Sequence, residues 1–295
     1  MSDLLSSRQQ TYSLSVVIAT LGGDTLRGTI EQLNRGTLVP AEILVCIPEE
    51  DAVRVKGLSF PNLRVIKTNC RGQVAQRAFG FQHVQEPMVL QLDDDILLQE
   101  EALQELATAL RRIGHGNVLA PVYSDSVTNR CIHELSDGLL GWLKSLYAYV
   151  VCGAPWGVKR MGVVTAIGVN YGIDSSHCDG KPFETQWIPG GCVLCFREDL
   201  IKDNYFPFTG KAYCEDLIHS FLRTEKGMRL WVIPGASCFI DASSFEIRRS
   251  LNQAEIAARR HFVKLRGGAE WRFAIYNIFS TLKKALSYKR NRTKS

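Results

Sequence analysis

Residues 87–95 run Pro87, Met88, Val89, Leu90, Gln91, Leu92, Asp93, Asp94, Asp95: an apolar stretch of strand length that ends in three consecutive carboxylates. Runs of the same kind occupy 14–19, 42–47 and 62–67. Between them lie helix-like stretches, Thr25 to Leu33 with Asp24 as N-cap, Arg71 to Val84, and Glu100 to Ile113. Short β-branched runs alternating with segments of helical period are the mark of βαβ units. Such crossovers predict an α/β fold, a Rossmann-like parallel sheet with helices on both faces, and they place ligands at the C-terminal ends of the strands. Asp93 to Asp95 stand at one such end.

The rest of the chain sets bounds on this reading. Of 295 residues, 45% are hydrophobic and 22% charged, which excludes disordered, collagen-like and disulfide-scaffold classes. Nine cysteines, an odd number, and a polar segment at 1–12 in place of a cleavable signal point to a reducing, cytoplasmic compartment. Cys192 and Cys195 form a lone CxxC; with no second pair at zinc-site spacing, they read as buried thiols. Beyond residue 125 the pattern becomes irregular and turn-rich. Leu139 to Val151 is apolar but too short to cross a bilayer, and reads as a buried or interfacial helix.

Two helical stretches close the chain, Glu246 to Leu265 and Ala269 to Tyr288. The second mixes Trp271, Phe273, Ile275, Tyr276, Ile278, Phe279 and Leu282 with basic residues. From Arg259 onward cations face almost no acid except Glu270, although the net charge of the whole chain is only +5. That block suits a polyanionic surface, either anionic lipid or nucleic acid; the mixed composition of the second helix can lie on a membrane, and the alternative is an ordinary helix packed on the domain.

Three adjacent carboxylates repel one another, and burial enlarges the cost unless a cation compensates. Oxygen ligands select Mg²⁺ or Mn²⁺, which commonly bridge one or two protein carboxylates to nucleotide phosphates. The expected substrate is therefore a nucleoside diphosphate derivative. In an extended chain Asp93 and Asp95 would reach one side and Asp94 the other, an alternation that a turn would break. The competing account is a solvated acidic turn capping the helix near Gln99.

A second acidic pair, Glu215 and Asp216, opens a stretch with Leu217, Phe221 and Leu222 at helical spacing. The helix dipole favours ionised carboxylates there, so capping alone is a sufficient reason for them. The functional alternative is that one of the two takes a proton from an acceptor hydroxyl. Upstream, Trp187, Ile188, Pro189, Gly190 and Gly191 lead into the apolar run Cys192 to Phe196, a tight turn whose glycines permit close approach of a ligand.

Taken in order, these motifs resemble the family 2 glycosyltransferases of the GT-A fold over roughly residues 13 to 242. Ser15 to Thr20 are similar to the family's first strand, Gly72, Ala75, Arg77 and Gly80 to its glycine and arginine helix, and Asp93 to Asp95 to its Asp-x-Asp motif. Pro189, Gly190, Gly191, Glu215 and Asp216 resemble the later acceptor-side motifs. The resemblance implies an inverting, metal-dependent transfer from a nucleoside diphosphate sugar to a glycan or lipid-linked acceptor, with Mn²⁺ or Mg²⁺ as cofactor.

It further implies Asp95 as the main metal ligand with Asp93, Asp241 in the place of a late histidine ligand, and Asp216 as general base beside Glu215. Thr20, Glu49, Arg77, Asp93 and Asp94 would meet the nucleotide sugar, and Trp187, Gly190 and Gly191 the acceptor. The chain departs from the pattern at Ile47 and Pro48, where the family has an acidic pair, and at Ala78, where it often has Asn. The implied organisation is a polar segment at 1–12, a catalytic domain at 13–242, and basic amphipathic helices at 243–295. The catalytic domain divides into a nucleotide-sugar half at 13–125 and an acceptor half at 126–242. A role in bacterial surface polysaccharide or lipopolysaccharide assembly, peripheral on the cytoplasmic face of the inner membrane, fits the basic tail.

Rival readings make distinct demands. A sugar-phosphate nucleotidyltransferase would use the loop Leu21 to Arg27, which lacks a further glycine and a following lysine. Dinucleotide-dependent oxidoreductases and P-loop kinases need glycine motifs that are absent. A non-enzymatic glycan- or nucleic-acid-binding module would leave three acids beside its groove, which opposes nucleic acid as a partner.

Overall fold

A computed structural model describes residues 13–135, 138–156, 160–241 and 253–278. Expectations for residues 1–12, for the stretch from Glu246 to Asn252 and for the chain beyond 278 lie outside the described residues. The first four strands follow the hydrophobic runs: β1 (Leu14–Ala19), β2 (Glu42–Pro48), β3 (Leu63–Thr68) and β4 (Met88–Leu92). They pair in parallel in the order β3-β2-β1-β4. Alternation along each strand feeds two cores. Val16, Ile18, Ile43 and Val45 meet Leu26, Ile30 and Leu33 of α1 (Leu26–Arg35) and Leu103, Leu106 and Leu110 of α3 (Ala102–Ile113). Val17, Leu44 and Cys46 face the opposite way, where Phe81 of α2 (Gln73–Phe81) covers them. The sheet is thus covered on both faces.

The parallel expectation ends at β4. A strand from the far half of the chain, β8 (Cys192–Phe196), lies antiparallel against it, with Met88 opposite Phe196 and Leu92 opposite Cys192. That register delivers Gly191 to the end of β4, and the Asp93 N–H donates to the Gly191 carbonyl at 2.7 Å. Beyond β8 come β6 (Asn117–Asp125) and β9 (Arg229–Ile240), which run parallel to each other. Two short strands, β5 (Leu97–Leu98) and β7 (Phe183–Thr185), pair antiparallel with β9.

Helix boundaries differ from the sequence expectation in instructive ways. The residue before α1 is Thr25, with no side-chain cap bond, so Asp24 is not the cap. Before α2 stands Gly72 at φ +133°, a backbone that favours glycine and delays the helix start past Arg71. The apolar stretch after 138 is α4 (Gly138–Val150), α5 is Glu215–Glu225, and α6 is Gln253–Leu265. Residues 270–278 are also helical.

Cys192 and Cys195 are buried free thiols, and burial pushes the Cys195 thiol up to about 11. Gly80 marks the closest approach of α2 to the sheet, since an added Cβ would stand 2.5 Å from Cys46 Sγ and 2.7 Å from Val17 Cγ1. Both neighbours belong to the packed core and have nowhere to move. Gly80→Ala is therefore expected to lose about 1–3 kcal/mol despite alanine's better helix propensity, read as a lower urea midpoint at unchanged slope. An unchanged midpoint would disprove the close packing.

Candidate active site

The C-terminal end of β4, the start of α2, the Gly190–Gly191 turn and the start of α5 meet around a cavity of about 500 Å³. Gln73, Asp93, Gly190, Gly191, Lys211 and Asp216 are among its walls. Asn170, Glu255 and Arg259 close the far side.

The acidic run leaves the strand at Asp93 and turns at Asp94 and Asp95, so the extended-chain alternation does not apply. Asp93 Oδ1 accepts from Gln73 Nε2 at 2.8 Å and from Arg77 Nη2, which fastens it to α2. Asp94 Oδ2 accepts from the Thr20 hydroxyl, and its carbonyl accepts from Thr29 Oγ1 at 3.0 Å. Asp95 is the exposed member of the three. Desolvation and the charges of Asp93 and Asp94 raise its carboxyl above the ordinary range, against the pull of Lys211. Asp94 is raised as well, first by desolvation. Ionising all three together costs free energy that a nearby cation would return.

Thr20, expected beside a nucleotide, is buried. Its hydroxyl serves Asp94 and also accepts from the Gly22 N–H at 2.8 Å. Arg77, expected in the same role, is 2% exposed and bridges Asp93 to Glu215, the latter 138 residues further along the chain than Arg77, with Nη1 3.0 Å from Glu215 Oε1. The acids after β2 are each paired: Glu49 with Lys67 at 3.6 Å, Glu50 with Arg71 at 3.3 Å, and the buried Asp51 with Arg71 at 2.6 Å. Trp187 is also buried, and its indole N–H donates to the Tyr171 carbonyl at 2.8 Å.

The two acids that open α5 have separate environments. Glu215 is buried, accepts from Arg77 and from the Tyr205 hydroxyl at 2.6 Å, and has His219 Nδ1 at 3.7 Å. Burial and the charges of Arg223 and Arg77 hold that imidazole neutral, so His219 forms no ion pair. Asp216 instead faces the cavity. Desolvation, then the charge of Glu215, push its carboxyl up to about 7, while Arg259 pulls it down. Cys214, immediately before the pair, sits in the left-handed region at φ +56°, a conformation that costs a non-glycine residue free energy and is concentrated at functional turns.

Both glycines are required by contact. A Cβ on Gly190 would stand 2.6 Å from Glu215 Oε2, and one on Gly191 would stand 2.5 Å from Ile96 Cδ1 and 2.9 Å from Asp93 Oδ2. Asp241 follows β9, beyond the ladder in which Leu97 faces Phe239 and Leu98 faces Cys238. Among the described residues no group of three acidic, histidine or cysteine side chains holds a metal unaided.

Residues 15–145 match the sequence profile of the family described as Glycosyl transferase family 2. They form a family 2 glycosyl transferase domain. No sequence among curated proteins matches the chain. Among solved structures, the crystal structure of GalNAc-T7 with UDP, GalNAc and Mn2+ is similar to this chain, with 15% identity and a TM-score of 0.58. The similarity covers 79% of this chain and 44% of that one, so the chain spans under half the length of its structural neighbour. At that identity the likeness is one of fold, and the mixed sheet with helices on both faces is the GT-A glycosyltransferase fold.

Sequence reasoning missed the residues that close the cavity. Asn170, Lys211 and Tyr213 lie in irregular segments without a motif, while Glu255 and Arg259 belong to a helix read only for its charge. The Arg77–Glu215 link had no sequence signal at all.

Proposed function

We propose that the chain transfers a sugar from a nucleoside diphosphate sugar to a hydroxyl of a glycan or lipid-linked acceptor. The observation that carries this reading is Asp216, a cavity-wall carboxyl pushed up to about 7, on the same cavity as the Asp93 end of the acidic run. A base of that strength is half ionised near neutral pH and can accept a proton as it becomes acidic. The acceptor oxygen attacks the anomeric carbon, its proton passes to Asp216, and the bond to the diphosphate breaks with the electron pair leaving on the diphosphate. Displacement from the opposite face inverts the anomeric centre. Glu215, held by Arg77 and Tyr205, orients the helix start and takes no proton in this scheme.

The donor set suits a hard divalent ion. Three clustered carboxylates, two of them raised by mutual repulsion and desolvation, gain from a dication, and such ions commonly need only one or two protein carboxylates when substrate phosphates supply the rest. Asp95 would hold it, with Asp93 and Asp241 as the further ligands of this reading. Bound Mn²⁺ or Mg²⁺ would offset charge on the departing diphosphate. UDP and Mn2+ in the structure of GalNAc-T7 support this choice.

The reading divides residues 13–242 into a nucleotide-sugar half at 13–125 and an acceptor half at 126–242. It places Glu49, Thr20 and Asp94 near the nucleotide and the Gly190–Gly191 turn near the acceptor. It sets the chain against an anionic membrane surface, where polysaccharide or lipopolysaccharide acceptors are held on lipid.

Incubation with a panel of nucleoside diphosphate sugars and Mn²⁺ should release nucleoside diphosphate; release of pyrophosphate from a nucleoside triphosphate instead would mark a nucleotidyltransferase. Asp95→Asn should raise the Mn²⁺ concentration for half-maximal rate by at least about tenfold with an unchanged melting temperature. An unaltered Mn²⁺ dependence would remove Asp95 from the metal site.

A further inference from the structure

Helix α4 is built inside out. Its buried positions are Gly141 and Ala148, while Leu139, Leu140, Trp142, Leu143, Tyr147 and Val150 are exposed. A helix of a water-soluble protein turns its large apolar side chains inward, and a large exposed apolar patch is the informative exception. Trp142 is 60% exposed and Trp156, just beyond the helix, 77%.

A second element adjoins α4. The helical residues 270–278 bury Phe273 with Cys152 and Ile167, and Arg272 Nη1 lies 3.4 Å from the Val150 carbonyl at the end of α4. On its outer side Trp271 is 64% exposed, and Ile275 and Ile278 are exposed with it. Three exposed tryptophans, a tyrosine and branched aliphatics on two adjoining elements are the composition of a membrane-interface surface. At 13 residues, or about 20 Å, α4 is too short to cross a bilayer, and no described helix is long and apolar enough to do so.

The charge around the patch selects the lipid. A cavity of about 480 Å³ opens along α4, with Leu143 and Tyr147 on its apolar side and Lys144 and Arg160 on its polar side. Among the described lining residues Glu134 is the single carboxylate, and burial lowers His133 to about 4, which leaves it uncharged. The sequence that follows the helical residues 270–278 carries Lys283, Lys284, Lys289, Arg290, Arg292 and Lys294 and no acid. Asn170 lines this cavity and also the one that holds Asp216.

We propose that the outer face of α4, with Trp156 and the helix at 270–278, docks on an anionic phospholipid bilayer, and that Lys144 and Arg160 receive a lipid headgroup phosphate in the cavity beside it. Its α4 part differs from the basic tail in being apolar and in lying within residues 13–242. Through Asn170 it sets a membrane-held acceptor next to the catalytic cavity, a consequence that rests on the transferase reading, whereas the docking does not.

The test is co-sedimentation of the full chain with vesicles of phosphatidylcholine, alone or mixed with phosphatidylglycerol. The wild type should bind the mixed vesicles with a blue shift of tryptophan emission. Leu140→Gln/Trp142→Gln should weaken binding by roughly tenfold or more, and Lys144→Gln/Arg160→Gln should weaken binding to mixed vesicles while sparing what remains on neutral ones. These positions are exposed or border an open cavity, and unchanged circular dichroism and melting temperature confirm that the variants fold. Vesicle binding unchanged in the Leu140→Gln/Trp142→Gln variant overturns the proposal, as does a wild type that ignores both vesicle types. A wild-type dimer that the same substitutions convert to a monomer, with no vesicle binding, assigns the face to self-association and overturns it too. Hydrolysis of nucleotide sugar in vesicle-free buffer is the separate control: should no donor turn over while docking persists, the transferase reading falls and the docking surface stands.

Discussion

Asp216→Asn is expected to lower kcat by roughly 10²- to 10⁴-fold, the range removed when a positioned general base is lost, while donor binding stays within a few-fold of wild type. Asparagine keeps the shape and can still accept from the Leu217 N–H, which lies 2.9 Å from Asp216 Oδ1, so helix α5 should start as before. In the wild type, kcat/KM should rise with pH and level off above about 7, because the carboxylate must be ionised to take the proton. The variant should lose that limb. Its stability should shift in the opposite sense. A carboxyl raised on folding binds a proton that the unfolded chain has released, so the wild type loses stability as pH climbs from the ordinary aspartate value to about 7. Asparagine has no such loss. The variant should therefore melt higher than wild type above pH 7, and the two should converge in acid below the ordinary aspartate value. Near-wild-type kcat in the variant would sink Asp216 as the base; a melting curve that tracks wild type at every pH would sink its raised pKa.

That carboxyl illustrates what a linear sequence discloses. Glu215 and Asp216 were visible as an acidic pair at a helix start, yet their division of labour depends on Tyr205, Arg77 and the left-handed turn at Cys214, none of which a spacing rule connects. Strands β1 to β4 were legible because each is an apolar run buried on two faces and bounded by turns. β8 was legible as a strand but not as the antiparallel neighbour of β4, since pairing partners 100 residues apart leave no mark on local period. In the acidic run the side-chain alternation failed because the chain leaves the sheet at Asp93 and turns at once, a choice made by Thr20 and Thr29 binding Asp94 from other segments. For α4, apolarity announced an interface or a core but not which; the answer lay in the burial of Gly141 and Ala148 against the domain.

Arg77→Met is expected to cost about 3–5 kcal/mol of stability, the usual penalty for removing one partner of a buried charge pair. Burial alone would lower the guanidinium's pKa, but the charges of Asp93 and Glu215 outweigh it and raise the group, so both carboxylates stabilise the cation in place. Methionine fills similar volume without charge. Glu215 would then be left buried with the Tyr205 hydroxyl and a neutral His219. Arg77→Lys should also fall well short of wild type, because one ammonium cannot reproduce the fork that reaches Asp93 and Glu215 at once. The decisive comparison is the double variant Arg77→Met/Glu215→Gln. With both charges gone no Glu215 carboxylate is left buried without its guanidinium, and most of the lost stability should return, with a coupling energy of at least about 1.5 kcal/mol by urea denaturation. Donor turnover should remain poor in that double variant even as its fold recovers, because the Asp93 carboxylate loses Arg77 and keeps Gln73 as its side-chain donor. Additive losses in the double variant would show that Arg77 and Glu215 act independently, and the tie between the acidic run and the α5 base would have to be abandoned.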